Sequence, residues 1–356
     1  MKFREALKSV SPYVPGKSID EVKREYGLDK VVKLASNENP YGASPKAVKA
    51  FKSYEDLHIY PEPDPEDLRQ KIGEYVGFDA ERIVLGAGID GVMENIFKLF
   101  VDSSDEVVIP IPSFPYYHIL TRVCGARDVC IARKEDFSID VQAMLDAVSE
   151  KTKIVLLCSP NNPTGNIENE EVVREIAESC NAVVFVDEAY AEFSSKNLLK
   201  LAEYENVVIA RTFSKAFGLA NLRIGYAIVS EEIRKEYLKV STPFPLSTPA
   251  KLAAMAALDD QEFLRFVVEK TREERRRVSK KLLDMGVKVY PSEANFILIE
   301  TPLKSAKLAE GLLKRGIIVR DCSKFIGCSE HHVRVSIGKK KENDAFLEAM
   351  EDVLCS

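Results

Sequence analysis

A chain of 356 residues exceeds what one hydrophobic core usually fills, so length alone predicts two packed domains. Apolar residues at 46% and charged residues at 30% are those of a globular protein, not of a disordered or fibrous one. A net charge of −6 with interspersed signs leaves no basic footprint for nucleic acid, and no apolar run approaches the roughly 18 residues that cross a bilayer.

The amino terminus, Met1-Lys2-Phe3-Arg4-Glu5, lacks the apolar stretch of a secretory signal, so a cytoplasmic protein is expected. Cys124, Cys130, Cys158, Cys180, Cys322, Cys328 and Cys355 form an odd set without a Cys-x-x-Cys pair, which suits free thiols in a reducing compartment. His331 and His332 are adjacent, and adjacent residues of a strand face opposite ways. No metal site is expected.

The first 35 residues carry little periodicity. Asp64-Pro65 then predicts a helix with Asp64 as N-cap and Pro65 at its first position, placing Leu68, Ile72, Tyr75 and Val76 on one face. Val92, Ile96 and Leu99 mark the next helix in the same way. Short β-rich runs at Arg82–Leu85, Glu106–Ile109, Ile154–Cys158, Ala182–Val186, Val207–Ala210 and Ile224–Val229 alternate with helical patterns. That alternation predicts an α/β fold, a largely parallel sheet with helices on both faces. After about residue 240, Pro243, Pro245 and Pro249 interrupt the chain, and a long charged helix follows at Gln261–Met285. Beyond it come strands at Val287–Tyr290 and Asn295–Glu300, a helix at Ser305–Arg315, strands at Ile317–Arg320 and Val333–Ile337, and a helix at Glu342–Val353. This second set reads as a smaller α/β domain.

Gly86-Ala87-Gly88-Ile89-Asp90-Gly91 follows a predicted strand and opens a helix. It fits the G-x-G-x-x-G of dinucleotide-binding folds. That reading, a nicotinamide-dependent oxidoreductase, needs an acid at the end of the next strand, which here ends in Ile109-Pro110. A helix N-terminus with free amides binds phosphate whichever molecule carries it.

Three further segments follow apolar runs: Ser159-Pro160-Asn161-Asn162-Pro163-Thr164-Gly165, Asp187-Glu188-Ala189-Tyr190, and Ser214-Lys215-Ala216-Phe217-Gly218 ahead of Arg223-Ile224-Gly225. A lysine among small residues suits a buried amine, and burial beside Arg223 disfavours its charged form. An aspartate at the C-terminal end of a buried strand lies where open α/β sheets put their ligands. Lysine, aspartate and asparagine are what pyridoxal phosphate (PLP) needs for its aldehyde, ring nitrogen and phenolic oxygen. Each has a plainer alternative. Lys215 could be a surface lysine, Asp187 a helix cap, Asn162-Pro163-Thr164-Gly165 a turn, Phe114 a core ring, and Arg223 and Arg320 structural or solvated arginines.

The order and spacing of these segments resemble the fold-type I PLP-dependent aminotransferases. The fuller match, from Asn37-Glu38-Asn39-Pro40 to Arg334, is similar to their histidinol-phosphate branch. The resemblance implies a large PLP-binding domain at 38–242 with a mostly parallel seven-stranded sheet, and a small domain made of 1–37 and 243–356. It implies Lys215 as the catalytic amine, Asp187 at the ring nitrogen, and Asn162 and Tyr190 at the phenolic oxygen. The amides of Ala87, Gly88, Ile89 and Asp90, with Ser214 and Arg223, would hold the phosphate. Phe114 would stack on the ring, and Tyr60 would reach the phosphate of the neighbouring subunit of a homodimer.

On the substrate side, Arg334 would take the α-carboxylate of glutamate and Arg320 the phosphate of histidinol phosphate, with Tyr13 and Asn37 lining the same pocket. Two features depart from that pattern. Asn221 stands where a glycine is usual, and Arg320-Asp321-Cys322-Ser323-Lys324-Phe325 is similar to threonine-phosphate decarboxylases. Decarboxylation and aromatic amino-acid transamination therefore stay open as alternatives.

Overall fold

The computed structural model describes residues 1–355. Thirteen strands occur in chain order: β1 (Val32–Lys33), β2 (Ile83–Ala87), β3 (Glu106–Ile111), β4 (Arg127–Ala132), β5 (Thr152–Cys158), β6 (Val183–Asp187), β7 (Val207–Thr212), β8 (Ile224–Ile228), β9 (Lys288–Val289), β10 (Phe296–Glu300), β11 (Ile317–Ile318), β12 (Arg320–Asp321) and β13 (His332–Ser336). Seven form one sheet in the order β2-β8-β7-β6-β5-β3-β4. Strand β8 runs antiparallel to both neighbours, and the remaining pairs are parallel. The fold is α/β, as its alternating elements predict.

Strands β6, β7 and β8 are buried along their whole length, because helices cover the sheet on both faces. Strands β5, β6 and β7 lie side by side and parallel, so their carboxyl ends deliver three consecutive loops to one edge of the sheet. Strand β4 escapes the sequence reading. It is a sheet edge with no fully buried residue, so it lacks a continuous apolar run.

The second unit is a four-stranded antiparallel sheet, β12-β13-β10-β9. The run expected as one strand at Ile317–Arg320 is two. Ile317 and Ile318 pair with β1 of the amino-terminal segment, whereas Arg320 and Asp321 pair with β13. One helix, Gln261–Asp284, belongs to both units. Its Leu264 and Val267 pack with the large sheet, and its Val278 and Leu282 with the small one. The two cores thus meet along this helix, and Ala294 and Phe296 beyond it still pack with the large one.

Asp64 does not cap its helix. Pro65 occupies the N-cap position, and the Asp64 carboxylate instead accepts a hydrogen bond from Arg234 (2.7 Å) and forms an ion pair with Arg69 (3.1 Å). Two guanidinium groups outcompete one set of backbone amides. Among the described residues no helix is long and apolar enough to cross a membrane.

Candidate active site

The loops after β5, β6 and β7 meet at a cavity of about 250 Å³. After β5, the fully buried Asn161 fixes the turn by donating to Pro112 O (3.0 Å) and Thr164 Oγ1 (2.7 Å). Its neighbour Asn162 is thereby turned to the cavity, where its Oδ1 accepts from Arg334 Nη1 at 2.6 Å.

Strand β6 ends in Asp187. Its carboxylate accepts from Tyr117 Oη (2.7 Å) and from the Ala189 amide (2.9 Å), with no ion-pair partner among the described residues. Burial pushes its pKa up to about 6, against the lowering effect of those two bonds. The next acid, Glu188, is neutralised by both Nε and Nη2 of Arg211 (2.9 and 2.7 Å). Asp187 is left as the unpaired carboxylate of this strand end.

Beyond β7 the chain turns at Ser214–Gly218. Asn39 Nδ2 donates to Ala216 O (2.9 Å), and Gly218 sits at φ +70° with no room for a Cβ against the Gly42 carbonyl. This turn holds Lys215 with its Nζ donating to Ser36 O (3.2 Å). Burial first, and Arg334 second, lower its pKa to about 8.

The helix Gly88–Phe100 starts at the same cavity. Gly88 has φ +77°, and a Cβ there would lie 2.6 Å from the Arg223 guanidinium. Arg223 itself takes the left-handed conformation (φ 53°) and bonds Asp90 (2.9 Å) and, more weakly, Ser214 Oγ (3.5 Å). A helix N-terminus, a hydroxyl and a guanidinium therefore converge, the grouping that binds an anion.

Opposite, Arg320 and Arg334 are directly paired across β12 and β13, so both project from one face of the small sheet. Arg334 is buried, donates to Asn162 and to Ala35 O (2.5 Å), and keeps an Nε with no partner. Arg320 lies 5.7 Å from the Tyr13 ring and 5.3 Å from the Phe325 ring, with no carboxylate paired to it among the described residues. Phe114 packs edge-on to Tyr13 and Tyr117.

All the residues singled out from sequence line this cavity except Tyr60, Ala87 and Gly88. Ala87 and Gly88 form the start of the helix just beside it. Tyr60 is elsewhere: it is 79% exposed and stacks on Phe244, with ring centroids 4.8 Å apart. Asn37 reaches the cavity, yet its side chain is occupied by Tyr190 and Ser336. Sequence reasoning missed Tyr117, Ser36 and Ser336. Only Tyr117, three residues beyond Phe114, carried any signal. Outside the cavity, His118, Asp128 and Cys130 bring three ligand-type atoms within 4.8 Å, but Arg122 already binds both Asp128 oxygens (2.9 and 2.6 Å).

Residues 29–350 match the model of the family described as aminotransferase class I and II. A histidinol-phosphate aminotransferase of Archaeoglobus fulgidus is 56% identical, over 91% of this chain and 99% of its own. The chain belongs to the histidinol-phosphate aminotransferase family. Another member, from Methanosarcina mazei, is 46% identical over 98% of this chain and 96% of its own. Family membership extends to the fold. The crystal structure of histidinol-phosphate aminotransferase from Sinorhizobium meliloti in complex with pyridoxal 5′-phosphate aligns with TM-score 0.90 at 28% identity, covering 99% of this chain and 98% of that one.

The residues at the cavity fit that cofactor. Lys215 is a half-buried amine whose hydrogen bond goes to a carbonyl, and Asp187 is a buried carboxylate with no ion-pair partner among the described residues. Each lacks a partner that an aldehyde and a protonated ring nitrogen would supply.

Proposed function

We propose that this protein transfers an amino group from glutamate to imidazole-acetol phosphate, forming L-histidinol phosphate and 2-oxoglutarate in histidine biosynthesis, with PLP bound at Lys215. The carrying observation is the pair Arg320 and Arg334, side by side on one face of the small sheet and lining the same cavity as Lys215 and Asp187. Such a wall takes substrates with two separated anionic groups, or one large one, and presents their amine to the lysine.

When bound, PLP supplies an electron sink for the carbanion left as a Cα proton departs. Ala87, Gly88, Ile89 and Asp90 would present their amides to its phosphate, joined by the Ser214 hydroxyl and Arg223, whose ion pair with Asp90 it would loosen. Asp187 would keep the ring nitrogen protonated, and Asn162 and Tyr190 would bond the phenolic oxygen. Phe114 would cover one ring face. Lys215, once its amine is free, would take up the proton that leaves the substrate Cα and hand it back during transfer. Arg334 would hold the α-carboxylate of glutamate, while Arg320 would hold the phosphate of the partner substrate, with Tyr13 and Asn37 closing that end.

The working unit we infer is a cytoplasmic homodimer. Leu57, Ile59, Tyr60 and Phe244 form an exposed apolar patch (78, 57, 79 and 43% exposed) that a second copy would cover, bringing Tyr60 to the other subunit's phosphate.

Two measurements test this reading. Mixing the PLP-loaded protein separately with glutamate, histidinol phosphate, phenylalanine and threonine phosphate should convert the visible chromophore to the amine form with the first two. Release of carbon dioxide from threonine phosphate, with no response to histidinol phosphate, would replace transamination by decarboxylation. The second concerns pH. A lysine with pKa about 8 is some 300-fold more deprotonated at pH 7 than an ordinary one, so aldehyde capture should rise with pH and level off near 8. A rate still climbing at pH 10 would mean that Lys215 behaves as a solvated lysine.

A further inference from the structure

Four hydrogen bonds around Asn37 have directions that can be deduced without seeing a proton. The backbone amide of Asn37 lies 2.9 Å from Ser336 Oγ, and an amide can only donate. Ser336 Oγ therefore accepts there, and its own proton must go elsewhere. Among the described residues the acceptor bonded to it is Asn37 Oδ1, at 2.7 Å. Turning the amide over would leave this buried hydroxyl proton with no acceptor among the described residues, which assigns the oxygen to that end and makes Nδ2 the atom 3.0 Å from Tyr190 Oη. An NH2 group can only donate, so the Tyr190 oxygen is the acceptor and its hydroxyl proton is left over. Tyr190 lines the cavity, and that is where the proton can point.

The rest of the frame is rigid. The Asn37 carbonyl accepts from Asn295 Nδ2 (3.0 Å), and Asn37 holds φ +54°, a backbone state that asparagine tolerates better than most residues. Ser336 and Asn37 are 4% and 1% exposed, so water does not compete for these bonds. Ser336 lies on β13 of the small sheet, two residues after Arg334, whereas Tyr190 follows β6 of the large one.

We propose that Ser336, acting through Asn37, fixes the direction of the Tyr190 hydroxyl so that it donates into the cavity. Ser336 and Asn37 are positioning residues, and the chain of bonds crosses from the small sheet to the large. Resting on the PLP reading above, this makes Tyr190 an obligate donor to the phenolic oxygen. A donor there stabilises the oxygen's negative form and lowers the pH at which the bound chromophore loses its proton.

The test is a spectrophotometric pH titration of the PLP-loaded protein and of Tyr190→Phe, Asn37→Asp, Ser336→Ala and Ser336→Thr. Tyr190→Phe should raise the transition by about one pH unit, the scale of one charge-assisted hydrogen bond. Asn37→Asp keeps the shape but turns the donor into an acceptor, so Tyr190 would point back at it and the transition should rise similarly. Ser336→Ala should raise it by a smaller amount, and Ser336→Thr, which keeps the hydroxyl, should restore it. In the Tyr190→Phe background, Asn37→Asp should add nothing. If Asn37→Asp and Ser336→Ala titrate like the parent while Tyr190→Phe shifts, the relay is overturned. Absence of any visible band in the folded parent overturns the cofactor reading itself, and this inference with it.

Discussion

Lys215→Ala is expected to lose about 10,000-fold or more in turnover while the protein stays folded and still takes up PLP. A loss of that size would follow from the double duty proposed for this one side chain, covalent anchor and proton carrier. Tyr190, the ring beside its Nζ at 5.7 Å, has its hydroxyl pKa raised by burial and is no base at neutral pH. Retained uptake follows from the other holding groups, because Arg223, Ser214 and the Gly88 helix start are untouched by the change. Borohydride reduction followed by peptide mapping should label Lys215 in the parent and nothing in the variant. Turnover within a hundredfold of the parent, or a label on another lysine, would remove Lys215 from its role.

The second large effect concerns Asp187, and it should move activity and stability in opposite directions. Asp187→Asn is nearly isosteric but cannot carry the charge that keeps a ring nitrogen protonated, so turnover should fall roughly 100- to 1,000-fold. Stability of the cofactor-free protein should rise at the same time. The folded pKa, about 6, lies above the ordinary value of 3.8, so the stability contributed by this carboxyl is fully present below about pH 3.8 and is lost as pH rises through about 6. At pH 7 the unpaired charge therefore costs at most about 3 kcal/mol, which asparagine avoids. Thermal unfolding of both forms at pH 4 and pH 7 checks this. The gain should appear at pH 7 and shrink at pH 4, and equal melting temperatures at both would show that the charge has another partner.

Much of the large sheet was legible because its interior strands are buried on both faces and read as unbroken apolar runs, such as Val183–Val186 before Asp187. Strand β4 was not, because an edge strand needs only one face covered and carries charged and polar residues freely. Lys215, Asp187 and Asn162 were readable because each sits in a local segment that follows its strand. Their partners were not. Ser36 is 179 positions from Lys215, Tyr117 is 70 from Asp187, and Ser336 is 299 from Asn37, and no local spacing encodes a contact made by folding. Asp64 shows the opposite limit. A sound local rule predicted a helix cap, and two distant arginines drew the carboxylate away.

The pairing of β1 with β11 ties the beginning of the polypeptide to its last third. Ribosomal synthesis must therefore pass Ile318 before Val32 and Lys33 find their partner strand, so the wall carrying Tyr13 and the Ser36 carbonyl depends on residues made some 285 positions later. A nascent chain that ends before residue 257 lacks Leu264 and Val267 of the large core as well as Arg320 and Arg334, so neither the sheet's cover nor the cavity around Lys215 is complete.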